Sequence, residues 1–178
     1  MAERREVTTK INSREVITMK NSKPEPQVRT ISIKEWCELN RSEPCITARI
    51  LLDGGSMYPL IRRMQDYVTV HPLDRKIRKG DIVLFKRADG RHVVHRVRRI
   101  KGQAVCTMGD NCALPDREIT ADCVLGYITR IERGKRTINA DTFLWRRIGL
   151  MWQALLPLRN FYSKIKKTVR KSGDVTDE

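Results

Sequence analysis

The chain has 178 residues, 40% hydrophobic and only 6% aromatic, with a formal net charge of +15 and a pI near 10.1. That length fits one domain with extensions, and the basic excess calls for an anionic partner: nucleic acid, an acidic membrane face or an acidic peptide. The five cysteines (Cys37, Cys45, Cys106, Cys112, Cys123) are odd in number and form no CxxC pair, and the histidines lack zinc-site spacing. A secreted disulfide framework is therefore excluded, reduced and mostly buried thiols in a cytoplasmic protein are expected, and neither a metal nor a cofactor is expected.

In chain order, Met1 to Lys20 is charged throughout and reads as neither a signal peptide nor an anchor. Residues 1–30 end in "NSKPEPQ", where Pro24 and Pro26 oppose regular structure, so a disordered or flexible arm is expected. "ISIKEWCEL", Ile31 to Leu39, predicts a short helix with Ile33, Trp36 and Cys37 on one side, Ser32 as N-cap and Glu35 three residues on. From Cys45 to Ile138, short runs rich in Val and Ile are separated by Gly, Pro and Asp: "ITARILL", "YVTVH", "DIVLF", "HVVHRV", "AVCTM", "VLGYITRI". These predict strands, with "ADG" at 88–90 as a hairpin turn, so residues 31–140 form a mainly β domain. In 141–178, Leu144, Trp145, Ile148, Met151, Trp152 and Leu155 follow a helical period. Pro157 interrupts, and "RNFYSKIKKTVRK" continues as a basic amphipathic stretch. The longest uncharged apolar run, "IGLMWQALLPL", falls short of the ~20 residues needed to span a bilayer.

The candidate chemistry begins at "GGSMYPL". Ser56 follows Gly54 and Gly55, which permit unusual backbone angles and close approach of a substrate chain. A serine hydroxyl attacks only when a base takes its proton. His95 in "VVHRV" shares a strand face with Val93 and Val97, while Val94 and Arg96 take the other. A core-edge histidine is the plain alternative; His92 points to the opposite face, and His71 reads as a loop residue. A Ser/His pair needs a third group to fix the imidazole tautomer. "MGDNCALPDRE" offers two carboxylates, Asp110 and Asp116, although each also suits a turn.

In order, "GGSMYPLI", "KGDIVLF", "VVHRV", "MGDN" and "VLGYITRI" resemble the five boxes of the signal peptidase I superfamily, from about Arg49 to Arg133. That superfamily shares its catalytic fold with LexA-type self-cleaving repressors. The resemblance is to the Ser-His branch, the endoplasmic-reticulum and archaeal type, because His95 stands where bacterial signal peptidases place a lysine. Lys86 in "FKRADG" imitates the lysine box one strand too early. The resemblance implies that Ser56 attacks, His95 is the base, Asp116 orients His95 and Asp110 supports them. It also implies that the Ser56 N–H helps bind the oxyanion, with Gly54, Gly55, Met57 and Pro59 shaping the substrate site. Two departures stand out: Gly54 occupies a position where the family often has a hydroxyl, and the charged stretch from Met1 to Lys20 reads as no apolar anchor, so an unanchored relative is expected. "GGSMYPLIR" and the "W…LLPLR"-like tail are most similar to small unanchored bacterial relatives, some associated with peptide modification. The substrate implied is a precursor or leader peptide made in the cytosol.

The tail bears on partners. From Arg130 to Lys171 there are twelve Lys/Arg against Glu132 and Asp141, interleaved with Phe143, Trp145, Trp152, Phe161 and Tyr162. Such a stretch can lie on an anionic membrane, peripherally at the inner face, or dock an acidic partner. Alternatively Leu144, Ile148, Met151 and Leu155 pack on the β domain with the charges in water. No helix-turn-helix, zinc-finger or RNA-recognition signature accompanies the charge, so nucleic acid is not the expected partner. A non-catalytic peptide- or membrane-binding module on the same fold is the rival to a peptidase.

Overall fold

The computed structural model describes residues 5–11 by their backbone, and 32–40, 46–156 and 158 with their side chains. The Pro24/Pro26 segment, Cys45, Pro157 and the basic stretch after Leu158 lie outside the described residues. Arg5–Ile11 form strand β1, paired in parallel with β2 (Ile46–Leu52). This differs from the arm expected over residues 1–30. "REVTTKI" carries Val, Ile and two Thr, which suit a pleated strand, and the outer side of β2 offers backbone groups for pairing.

The remaining strands are β3 (Asp66–Pro72), β4 (Ile82–Lys86), β5 (His92–Lys101), β6 (Ala104–Met108), β7 (Ile119–Thr120), β8 (Val124–Arg133) and β9 (Arg136–Asn139). They form one curled sheet in the order β1-β2-β3-β8-β4-β5-β6-β7, with β9 on β8, antiparallel throughout except at β1. The fold is thus mainly β. The "ADG" turn joins β4 to β5 as expected, with Gly90 at φ +83 and its N–H donating to the Arg87 carbonyl at 2.9 Å.

Two apolar clusters line the sheet. Strand β4 feeds both by alternation: Ile82 and Leu84 join Trp36, Ile50, Val94 and Ile128, whereas Val83 and Phe85 join Val97, Val105 and Tyr127. A strand covered on both faces must be apolar without a break, which explains the run "IVLF". Helix α1 (Ile33–Leu39) starts as expected, with the Ser32 Oγ accepting from Glu35 N at 3.1 Å. It delivers Trp36, 1% exposed, whose Nε1 donates to the Ile46 carbonyl at 2.8 Å. Gly126 on β8 makes room, since a Cβ there would stand 3.2 Å from Trp36 Cη2 and 2.5 Å from the His71 carbonyl. Truncating a tryptophan so placed costs about 3–5 kcal/mol.

Helix α2 (Phe143–Ala154) closes the domain, but not through the four residues named in the packing alternative. Its buried residues are Gly149 and Gln153, with Leu156 just beyond, while Leu144, Ile148, Met151 and Leu155 are exposed. The surface that receives α2 is ionic at Gly149 and Gln153, where a small and a polar residue approach it best, and apolar at Trp145, which packs against the first cluster. A Cβ on Gly149 would come 2.0 Å from Arg96 Cζ. Gln153 Nε2 donates to the Met108 carbonyl at 2.9 Å and to Asp110 Oδ1 at 3.0 Å. A second polar cluster ties the start of α2 down: Arg75 and Arg146 both pair with Asp81 and Asp141. Residues 141–156 therefore belong to the β domain.

Candidate active site

Ser56 sits in the loop between β2 and β3. Buried ions fix this loop: Asp66, wholly buried, pairs with Arg62 and Arg133, and Arg133 Nη2 also donates to the Leu60 carbonyl at 3.0 Å. Burial pushes the Asp66 carboxyl up, but hydrogen bonds from the two arginines outweigh it and hold the group below its ordinary range. Beneath the loop, Met57 is 1% exposed and packs in the core with Leu52 and Ile61. It anchors the Ser56 turn from below, so that its expected contribution to the shape of the site comes from beneath the turn. Pro59 is half-buried, and its carbonyl accepts from Arg133 at 3.4 Å.

Gly54 and Gly55 are exposed, and neither has the left-handed φ that would demand glycine. A Cβ on Gly55 would meet nothing within 4 Å, and one on Gly54 only Ser56 Oγ at 4.0 Å. The backbone ahead of Ser56 is open to solvent. Two readings of these glycines were available, and the unusual-angle reading drops out, leaving room for close approach.

His95 and Asp116 meet. Strands β5 and β6 pair Val97 with Thr107, and the Asp116 N–H donates to the Thr107 carbonyl at 2.8 Å, drawing the loop after β6 back over β5. His95 Nδ1 then lies 2.6 Å from Asp116 Oδ2, and Thr107 Oγ1 donates to the same oxygen at 2.8 Å. Burial pushes the Asp116 carboxyl up, but these two donors and the charges of His95 and Arg87 hold it below the usual carboxylate range. An ionised carboxylate only accepts. His95 Nδ1 is therefore the donor, and in the neutral ring Nε2 carries the lone pair.

The Gly109 turn brings Nε2 and the Ser56 main chain to one space. A Cβ on Gly109 would stand 2.7 Å from the Ser56 carbonyl, 3.0 Å from His95 Nε2 and 2.6 Å from Cys112 Sγ. All three atoms line one small space that only glycine leaves empty. The next residue fastens the two loops together: Asn111 N–H donates to the Ser56 carbonyl at 2.7 Å, and its side chain reaches the Gly55 carbonyl at 3.4 Å. Among the described residues no hydrogen bond joins Ser56 Oγ to the imidazole. In free enzymes such contacts are commonly long and tighten when substrate is bound.

Asp110 does not join His95. Both its oxygens are bound by Arg96, at 2.8 Å each, and one also accepts from Gln153. Arg96 and Asp110 are each 0% exposed, and Arg96 also donates to the Gly80 carbonyl at 2.9 Å. The role expected for Asp110 beside the base gives way to one beneath the turn, where it fixes Gly109 and Asn111 against β5 and α2. Lys86, at the end of β4, is exposed and paired in register with His92. His71 lies on β3 rather than in a loop, against Tyr127 and Asp74.

Sequence reasoning did not single out Thr107, Gln153, Arg87 or Cys112. Cys112 is half-buried beside His95; burial and then the Asp116 charge push its thiol up, so it is a protonated thiol at neutral pH. Cys37, Cys106 and Cys123 are likewise half-buried and form no disulfide among the described residues; they are less enclosed than expected. Among the described residues no His/Cys/Asp/Glu group could hold a metal ion, and no helix is long and apolar enough to cross a membrane. No family model matches the sequence, and no curated protein matches it.

Proposed function

We propose that the chain is a serine endopeptidase that cleaves a precursor or leader peptide, with Ser56 as nucleophile, His95 as base and Asp116 as its orienting carboxylate. One observation carries the reading: the 2.6 Å bond from His95 Nδ1 to Asp116 leaves Nε2 on the side of the Ser56 turn. Ser56 Oγ attacks the scissile carbonyl as Nε2 takes its proton, and Asp116 stabilises the imidazolium that results. The Ser56 N–H helps bind the oxyanion, an interaction worth about 3–4 kcal/mol where it has been measured. Nε2 returns the proton to the leaving amine, and the same base then activates the water that releases the acyl group. The open backbone at Gly54 and Gly55, and the exposed Tyr58 and Leu114 on the two loops that carry Ser56 and Asp116, suit an extended peptide. The ordered boxes from Arg49 to Arg133 give the signal peptidase-like assignment its sequence support. The cell location this reading carries is the cytoplasm, with residues 141–170 as contact to an anionic membrane face.

The test is mass spectrometry of candidate peptides incubated with the parent and with Ser56→Ala and His95→Ala. Both variants should fold like the parent and lose about 10⁴-fold or more in kcat. Full activity in purified Ser56→Ala would overturn the assignment. The absence of a side-chain hydroxyl at Gly54 favours a second reading, a peptide-binding module with little turnover. Tight peptide binding by a protein whose Ser56 resists a serine-directed fluorophosphonate would select that module.

A further inference from the structure

Helix α2 turns Trp145, Gly149, Gln153 and the following Leu156 inward and still leaves an apolar stripe outward. Leu144, Ile148 and Met151 recur at helical spacing with exposures of 69%, 37% and 65%, and Leu155 (45%) and Leu158 (66%) continue the same series. An apolar stripe left in water on an otherwise well-buried domain marks a docking surface. Its chemistry restricts the occupant. From Phe143 to Leu158 there is no acidic residue, while Arg146 and Arg147 lie in the same span. Beyond it the chain adds Arg159, Lys164, Lys166, Lys167, Arg170 and Lys171 before the first acid, Asp174. A second copy would bring the same uncompensated cations face to face, on a chain of net charge +15.

Beside the stripe, at the start of the helix, a cleft of about 270 Å³ is lined by Lys79, Phe143, Arg146, Arg147 and Leu150. Arg146 is held by Asp81 and Asp141. The outward cations of the cleft are thus Lys79 and the exposed Arg147, whose guanidinium lies 4.9 Å over the Phe143 ring. Cations bordering an apolar stripe on a convex helix match a lipid surface, with phosphates at the cation level and acyl chains below.

From this we propose that α2 docks flat on an anionic bilayer, inserting Leu144, Ile148, Met151, Leu155 and Leu158 while Lys79 and Arg147 meet lipid phosphates. The proposal rests on the membrane contact read above for residues 141–170, and not on the peptidase chemistry. The full-length chain is tested by co-sedimentation with vesicles of phosphatidylcholine mixed with phosphatidylglycerol, and with vesicles of phosphatidylcholine alone. The parent should pellet with the mixed vesicles and release on raising salt. The triple variant Leu144→Ser, Met151→Ser, Leu155→Ser changes only exposed side chains and should lower partitioning about tenfold or more. It should still cleave a soluble peptide at the parent rate. Undiminished binding by the triple variant would assign the affinity to the basic residues alone and overturn the proposal. So would a parent that stays in the supernatant of both vesicle types, or a parent dimer in light scattering that the triple variant dissolves. Vesicle binding by both the parent and Ser56→Ala, with no cleavage by either, would sink the peptidase reading and leave this one standing.

Discussion

At the scale of single residues, the candidate site depends on which atom of His95 is committed. Asp116 and Thr107 fix Nδ1 as a donor, so replacing the acceptor charge should hurt more than removing the hydroxyl. Asp116→Asn should lower kcat by about 10⁴-fold, as expected where the third triad member sets the tautomer. Thr107→Val removes one hydrogen bond to a charged group and should cost about tenfold. Single-turnover cleavage measures both. Cys112 is the rival nucleophile, since its sulfur lines the same space as Nε2. With burial and Asp116 holding the thiol protonated, Cys112→Ala should keep cleavage within about threefold of the parent; loss comparable to Ser56→Ala would move the chemistry to sulfur.

The pH dependence follows with a definite sign. The Asp116 carboxyl is depressed in the fold. Its contribution to stability is therefore complete above the ordinary carboxylate range, near 4, and is lost as pH falls through the depressed value. An imidazole base works only when neutral, so kcat/KM should fall about tenfold per pH unit on the acid side, while circular dichroism still reports a folded protein. A rate that rises only under alkaline conditions would point instead to a lysine base, Lys86 or Lys101.

At the scale of elements, α2 and the turn that carries Gly109 are one unit joined by the Arg96–Asp110 pair. Ser56 and His95 stood out in the sequence only as members of an ordered series of boxes, because a serine after two glycines suits a plain turn and a strand histidine suits the edge of a core. The role of Asp110 was not, because a carboxylate in "GDN" suits a turn, a triad or an ion pair equally well. Only the return of α2 over β5 brings Gln153 and the space at Gly149 to it. The helical period of 144–155 was correctly legible, but its inward face was not. Hydrophobic periodicity locates a stripe without saying what lies opposite, and here the surface opposite Gly149 and Gln153 is a buried salt bridge, while Trp145 meets the apolar core. Gly149→Ala should lower stability by about 3 kcal/mol or more, because its Cβ must displace the Arg96 guanidinium and leave Asp110 unpaired. The thermal midpoint should drop by on the order of 10 °C, and peptide cleavage should fall with it as the Asn111 clasp on Ser56 loosens. An unchanged midpoint would show that α2 sits elsewhere in solution.

At the scale of the whole molecule, the sheet takes both clusters to completion, and the charge is left to the periphery. The composition and the Val/Ile-rich runs were enough for a mainly β fold, since alternation and turn residues act locally. They were also enough for the hairpin at 88–90 and the capped helix at Ile33–Leu39, where Ser32 and Glu35 lie within one turn of each other. Strand order, the parallel addition of β1 and the burial of Met57 were settled by tertiary structure. Each depends on what a segment meets after the chain has folded back, and residues tens of positions apart carry no mark of their future neighbours. The three candidate catalytic groups follow the same division. The hydroxyl, imidazole and carboxylate are written in the chain, but the bond between residues 95 and 116 exists only because β5 and β6 pair in one register and draw the loop beyond them back across the strand.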